Sequence, residues 1–577
     1  MHHGSHYAAL AFGLLLSGCQ PAQQVAAPVA GTASVPVASF EWFDYQGKDP
    51  IFAAPLPAGT YQNPVLAGFY PDPSITRRGD DYYMVTSSFA YAPGLPILHS
   101  RDLVNWTLLS YALTRSTQMD FAGLQVSRGI FAPTIRYHQG TFYLITTVVD
   151  RGGNFILTAT DPAGPWSDPI WLPEVEGIDP DIFFDDDGKV YIAHNGDVPG
   201  EPLYEGHKAI WLWEYDPVAK KVLPDSKKLL VNGGVDLSTK PIWIEAPHIY
   251  KVDGWYYLVC AEGGTADQHS AVVFRTKSLN EPFVPHTINP ILTQRDLAAD
   301  RPDPITTAGH ADLVQTPNGD WWAVFLAART YDQTYFNSGR ETFLLPVSWV
   351  DGWPLILKQG ETIPYRPAAP VVATAATGNT SPAPLTGNFN WRDEFSSQQL
   401  DLQWNLLREF DQSWLKLDSD QLHLQAKPVG LESMLQPAFV SRRQQHMHYE
   451  SSTQLQVPAA GISAGMVAFQ NEQYHYYLGV RQQAEQTQIF LEQAAGATPK
   501  QLLNQNVPTA ANVKLKISGQ AGQISFYYAL DNGEWQSLGP VQDGKLLSTQ
   551  VATGFVGTML GLYSRQEQTV SQTGTGQ

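Results

Sequence analysis

Between residues 77 and 327 one pattern recurs five times: a polar turn, an aromatic pair or its equivalent, then an apolar run. The copies are "RRGDDYYMVTS" (77–87), "YHQGTFYLITT" (137–147), "FDDDGKVYIAHN" (184–195), "KVDGWYYLVCA" (251–261) and "TPNGDWWAVFLA" (316–327). Gly beside Asp or Asn is a hairpin signal, and the aromatic and β-branched runs are strand signals. The spacing of roughly 50 to 65 residues leaves room for about four strands per copy. The repeat therefore predicts an all-β chain built around a five-bladed β-propeller.

The run before each turn carries the chemistry: "YPDPSI", "IFAPTI", "GIDPDI", "WIEAPHI" and "AGHADLV". Asp72 precedes Tyr83 by 11 positions, and Phe131 to Tyr143, Asp179 to Tyr191, Glu245 to Tyr257 and His310 to Trp322 are each 12 apart. Equivalent positions thus hold Asp72, the Phe131-Ala132 pair, Asp179, Glu245 and His310. Innermost propeller strands line a central channel, so the register should bring these distant residues to one axis.

Acids meeting at one axis suit glycosidic bond hydrolysis. That reaction needs one carboxylic acid to protonate the leaving oxygen and a carboxylate acting at the anomeric carbon. Glu245 has Trp243, Ile244, Ala246 and Pro247 around it. Such desolvation raises a carboxyl pKa and makes Glu245 the best acid candidate. Asp72 and Asp179 are each followed by Pro, which stiffens the strand; either can stay ionised, one as base and the other as an orienting charge. Lys and Arg total 36 against 55 Asp and Glu, a net charge of −19 with no basic cluster. That balance disfavours nucleic acid and anionic membranes and leaves neutral polar ligands open.

The propeller is expected over 61–365. An Ala/Pro/Thr-rich linker (366–388) follows, then a region (389–577) whose segments "QLHLQAKP", "YHYYLGVRQQ", "TQIFLEQ" and "VKLKISGQ" alternate with period two. Those segments predict a C-terminal antiparallel β-sandwich. Near the start, "AFGLLLSGC" is too short to span a bilayer and resembles a bacterial lipoprotein signal closed by Cys19, although "MHHGSHY" before it lacks Lys and Arg. On that reading 1–19 is a signal segment, Cys19 bears lipid and 20–60 is a tether. The protein would then be exported and anchored to the bacterial cell envelope, periplasmic or outer-membrane. The other cysteine, Cys260, should pack as a small buried hydrophobe.

Read in order from "YQNPVLAGFYPDPSI" to "SGRETFLLPVSWVDGWP", these motifs resemble glycoside hydrolase family 43, the inverting β-xylosidases and α-L-arabinofuranosidases on five-bladed propellers. The C-terminal region is similar, more weakly, to the concanavalin-A-like domain of the β-xylosidase branch. The resemblance implies Asp72 as general base, Asp179 as pKa modulator and Glu245 as general acid. It implies a pocket wall at Phe89, a channel histidine at His310 and a sugar-reaching Arg340, and Phe131 and Trp243 are expected to contact the substrate beside them. No cofactor is implied beyond a structural calcium in the channel beside His310. Family members commonly have Trp where this chain has Phe131, and "GTMLGLYSRQEQTVSQTGTGQ" lacks the aromatic-acidic final strand expected to close the sandwich.

The expected substrate is a plant cell-wall oligosaccharide losing terminal β-D-xylose, with α-L-arabinofuranose as the alternative. A lipid-anchored sugar-binding propeller is a third reading, opposed by three like charges in register. Fructan-cleaving propellers also use three acids, but no "NDPNG"-type segment stands near the start. Singly, each residue has an ordinary reading: Asp72 as a turn acid, Arg340 as a blade-to-blade ion pair, Phe89 and Phe131 as filler. Asp185, Asp186 and Asp187 read as a solvated hairpin turn rather than a metal site.

Overall fold

The structure, a computed structural model, describes residues 36–374, 384–483 and 486–567. Cys19 and its apolar run lie outside the described residues. The one α-helix among the described residues is Thr549–Ala552; nearly everything else ordered is strand.

Five antiparallel sheets of four or five strands form the propeller blades. Their innermost strands are Ser74–Arg78, Thr134–His138, Ile178–Phe184, Glu245–Val252 and Ile305–Gln315. Each returns through a tight hairpin into the strand carrying the aromatic pair. The hairpin glycines Gly79, Gly140, Gly188, Gly254 and Gly319 have φ between 64° and 91°, a region open to Gly without strain. The aromatic pairs pack between neighbouring blades, as Tyr83 does on Phe142 (5.0 Å between ring centroids), Tyr143 on Phe184 (4.9 Å) and Phe183 on Tyr256 (6.2 Å). Sequence repetition thus reflects one seam made several times.

The strand pairs Thr76↔Tyr83, Arg136↔Tyr143, Phe183↔Tyr191, Tyr250↔Tyr257 and Val314↔Trp322 set the blades in common register. Two residues back along each inner strand stand Ser74, Thr134, Asp181, His248 and Asp312; four back stand Asp72, Ala132, Asp179, Ala246 and His310. The channel is therefore tiered, and Glu245 sits one residue outside the uppermost tier rather than in it.

Two sheets of nine and eight strands make the sandwich. Residues 37–47, expected as part of a tether, instead form the strand Val37–Gly47, which pairs with Gln421–Gln425, His448–Gln456 and Asn390–Asp393. Its "VASFEWFDYQG" buries Ala38, Phe40, Phe43 and Tyr45 in the sandwich core. That alternation is itself a strand signal. A second correction concerns the end of the chain: Met559–Gln566 is a central strand between Ile462–Asn471 and Ala438–Arg443. Its buried Met559, Leu560, Leu562 and Tyr563 do the closing that an aromatic-acidic strand was expected to do. The linker is also partly packed: Leu385 is buried and its carbonyl accepts from Ala67 N–H (2.7 Å), while 375–383 lie outside the described residues.

The sandwich grips the propeller just upstream of Asp72. Arg443 Nε donates to the Phe69 carbonyl (2.6 Å) and Gln445 Nε2 to that of Ala67 (3.1 Å). Arg329, fully buried, bonds Glu341 and Asp49 at 2.7 Å each. Buried charges persist only when paired this fully. Asp185 departs from the solvated-turn expectation: it is buried and accepts from Lys251 and Tyr256 at 2.6 Å each, whereas Asp186 and Asp187 are exposed.

Candidate active site

Asp72, Asp179, Ala246 and His310 occupy the same tier and share one backbone state, with φ of 54°, 53°, 50° and 54°. Left-handed backbone outside Gly is uncommon and strained, and it clusters where a side chain must be aimed. Here it accompanies breaks in strand register between Ile178 and Asp181, Glu245 and His248, and Gly309 and Asp312. An extra residue at such a bulge re-aims its neighbours. In the fourth blade the left-handed residue is Ala246, and the bulge presents Glu245.

Asp72 is 5% exposed. Ser87 Oγ donates to its Oδ2 at 2.5 Å, and Arg340 Nη1 to its Oδ1 at 2.8 Å. Both oxygens act as acceptors, which is the inventory of a carboxylate. His310 Nδ1 lies 3.8 Å from Oδ1, and burial pushes its imidazole down to about 3, so it is neutral there. Glu245 is pushed up to about 8, by desolvation first and then by the Asp72 charge, with Arg340 opposing. Asp179 is raised well above the usual carboxylate range by burial, then by Glu245 and Asp72. Glu245 is thus one cause of the rise at Asp179, beside Asp72, whose two oxygens accept from Ser87 and Arg340.

Phe89, Phe131 and Phe555 form an aromatic corner. Phe89 stacks on Phe555 at 6.1 Å and meets Phe131 edge-on at 5.4 Å; Phe131 meets Phe555 at 5.7 Å. Trp243 is not in that corner. It is 38% exposed, with the Lys208 ammonium 5.1 Å over its ring. Cys260 is buried as expected.

Phe555 was not legible in sequence. It belongs to a sandwich loop, its N–H donating to Ser127 Oγ (3.0 Å) and its carbonyl accepting from Arg340 Nη2 (3.4 Å). The loop comes this close because Gly557 meets Gly339 backbone to backbone: a Cβ on Gly557 would lie 2.5 Å from the Ser338 carbonyl oxygen. Thr265 was also missed; its Oγ1 accepts from Arg340 Nη1 at 2.9 Å, giving Arg340 a second anchor. Neither residue lies in the repeat.

Three acids on one axis, one clamped as a carboxylate and two sharing a raised affinity for protons, match a family model in sequence. The model for glycosyl hydrolases family 43 covers residues 61–354, and that for the beta xylosidase C-terminal concanavalin A-like domain covers 392–574. This chain belongs to glycosyl hydrolase family 43. The family-43 chain is 37% identical to a xylosidase/arabinosidase of Butyrivibrio fibrisolvens over 87% of its own length and 95% of that protein's. It is 33% identical to the non-reducing end alpha-L-arabinofuranosidase BoGH43B of Bacteroides ovatus, over 88% and 91%. A crystal structure of a GH43_12 protein retrieved from a capybara gut metagenome superposes with a TM-score of 0.85 at 37% identity, covering 92% of this chain and 100% of that one. This family-43 protein is accordingly a glycosidase.

Proposed function

We propose that this glycosidase is an exo-acting, inverting enzyme that releases terminal β-D-xylose from plant cell-wall oligosaccharides. The observation that carries the reading is the division of labour among the acids. Asp72, held by Ser87 and Arg340, takes a proton from water on the sugar face opposite the leaving group. Glu245, pushed up to about 8, holds the proton that the leaving oxygen needs. Asp179 raises and orients it. Phe89, Phe131 and Phe555 give the C–H face of a terminal sugar an apolar wall, while His310, Arg340 and the more exposed Trp243 flank it.

Xylose is favoured by the C-terminal domain, whose model is that of beta xylosidases. Arabinofuranose is the second reading, favoured by the arabinofuranosidase from Bacteroides ovatus. Aryl β-xyloside and aryl α-arabinofuranoside, assayed beside xylo- and arabino-oligosaccharides, separate the two. Proton NMR of the first-formed sugar should show the inverted anomer; retention removes Asp72 as base.

Export and lipidation at Cys19 belong to the same proposal, supported by "LSGC" after a short apolar run. Cys19→Ala should move the enzyme from the membrane fraction to the soluble fraction, and unchanged fractionation would count against the anchor.

A further inference from the structure

One tier below the acids, a single side chain touches all five blades. Arg136 rises from the second blade. Its Nη1 donates to Asp312 Oδ2 (2.8 Å) in the fifth blade and to the Ile75 carbonyl (3.3 Å) in the first. Its Nη2 lies 3.0 Å from Asp181 Oδ1 in the third blade and donates to His248 Nδ1 (3.0 Å) in the fourth. The carboxylates of Asp181 and Asp312 are buried, at 1% and 0% side-chain exposure. Beyond Arg136 the channel opens into a cavity of about 370 Å³ lined by Thr76, Phe183 and Tyr250.

The calcium implied by family resemblance would stand beside His310, where the Asp72 oxygens already accept from Ser87 and Arg340, or on the carboxylates of this tier. Calcium takes six to eight oxygens, carboxylate oxygens above all. The Asp312 oxygens already accept from Ser74 Oγ (2.6 Å), Ile75 N–H (2.9 Å), Tyr250 Oη (2.5 Å) and both Arg136 terminal nitrogens. Asp181 Oδ2 accepts from Ile249 N–H (3.1 Å), and its Oδ1, without a hydrogen bond of its own, lies 3.0 Å from Arg136 Nη2 as an ion pair. The donation from Arg136 leaves the lone pair of His248 Nδ1 occupied, so the proton of this imidazole sits on Nε2. That nitrogen is buried without a protein partner, and the His248 ring stands 6.4 Å from the His310 ring toward the acid tier. It presents an N–H, not a ligand lone pair. The donor set does not fit a hard divalent cation.

We propose instead that the Arg136 guanidinium is the resident cation of the channel. It faces the carboxylates of both Asp181 and Asp312, ties the five inner strands together and makes the propeller independent of divalent metal. A planar fork of fixed charge suits this task, since it faces two carboxylates and an imidazole at once.

The test reads stability and metal binding, so it stands whether or not the sugar assignment does. The purified full-length enzyme, stripped with EDTA, is titrated with CaCl2 by calorimetry and by thermal melting. The expected result is no binding heat and an unchanged Tm. Arg136→Met should lower the Tm by several degrees, and Arg136→Lys should recover part of the loss by restoring the charge. Saturable calcium binding by the wild-type enzyme that raises its Tm would overturn the proposal. So would a wild-type Tm in R136M. If R136M does not fold, the wild-type calcium titration and the R136K melt, expected below wild type, still decide it.

Discussion

Two neighbouring tiers of the channel both carry carboxylates, two residues apart in the third blade at Asp179 and Asp181, and use them in opposite ways. In the lower tier, Asp181 and Asp312 face one guanidinium, two hydroxyls and two backbone N–H groups. Asp312 is held well below the usual carboxylate range by Arg136, against the cost of its burial. In the upper tier, Arg340 attends to Asp72, while Glu245 is raised by burial and the Asp72 charge, and Asp179 by burial, Glu245 and Asp72. Residue type and strand are shared. The supply of donors differs, and it separates a charge that braces the fold from one that can move a proton.

The sharpest way to break this contrast is to remove upper-tier acids. Asp72→Asn or Glu245→Gln should each cost about 10³-fold or more in kcat/KM with the melting curve essentially kept. Near-normal rates would sink the assignment. Breaking the lower tier should do the reverse. Asp312→Ala, which removes one of the two carboxylates of Arg136 and the acceptor of Ser74, Tyr250 and Ile75 N–H, should cost about 3–5 kcal/mol of stability in denaturant melts, with any activity loss following the unfolding.

The pH profile sharpens the same difference. In the proposed role Glu245 works protonated, so kcat/KM should fall as pH rises through about 8, and the E245Q protein should lack that limb in its residual activity. The sign for stability follows: between the ordinary carboxyl value and about 8 the folded state keeps a proton that the unfolded chain has lost, so this group makes stability fall as pH rises. E245Q should therefore melt higher than wild type at alkaline pH and gain less at acid pH. The smallest effect is expected from Phe555→Ala, which removes one wall of the aromatic corner. It should raise KM more than it lowers kcat, by about tenfold or less, as expected for loss of one apolar contact.

Most of the propeller was readable because each blade repeats one solution: a glycine turn, an aromatic seam and an inner strand. Repetition let Asp72, Asp179 and His310 be placed on one axis from spacing alone. It also placed Glu245 one residue from its true register, because a bulge inserts a residue that spacing cannot assign to either strand. The sandwich was less legible. "VASFEWFDYQG" alternates as a strand should, but its partners lie beyond residue 389, on the far side of the entire propeller. Phe555 carried no signal, since its role depends on Gly557 letting one loop touch another domain.

Sequence by itself determined the blade count and the sandwich and singled out three candidate acids, because periodic hydrophobicity and turn chemistry are local properties that survive in a linear string. Only the tertiary structure decided which acids are raised by burial and by one another's charge, which sandwich side chain joins the aromatic corner, and that Arg136 reaches all five blades. Those outcomes depend on the number of donors within about 3 Å of each carboxylate, and the donors come from every blade.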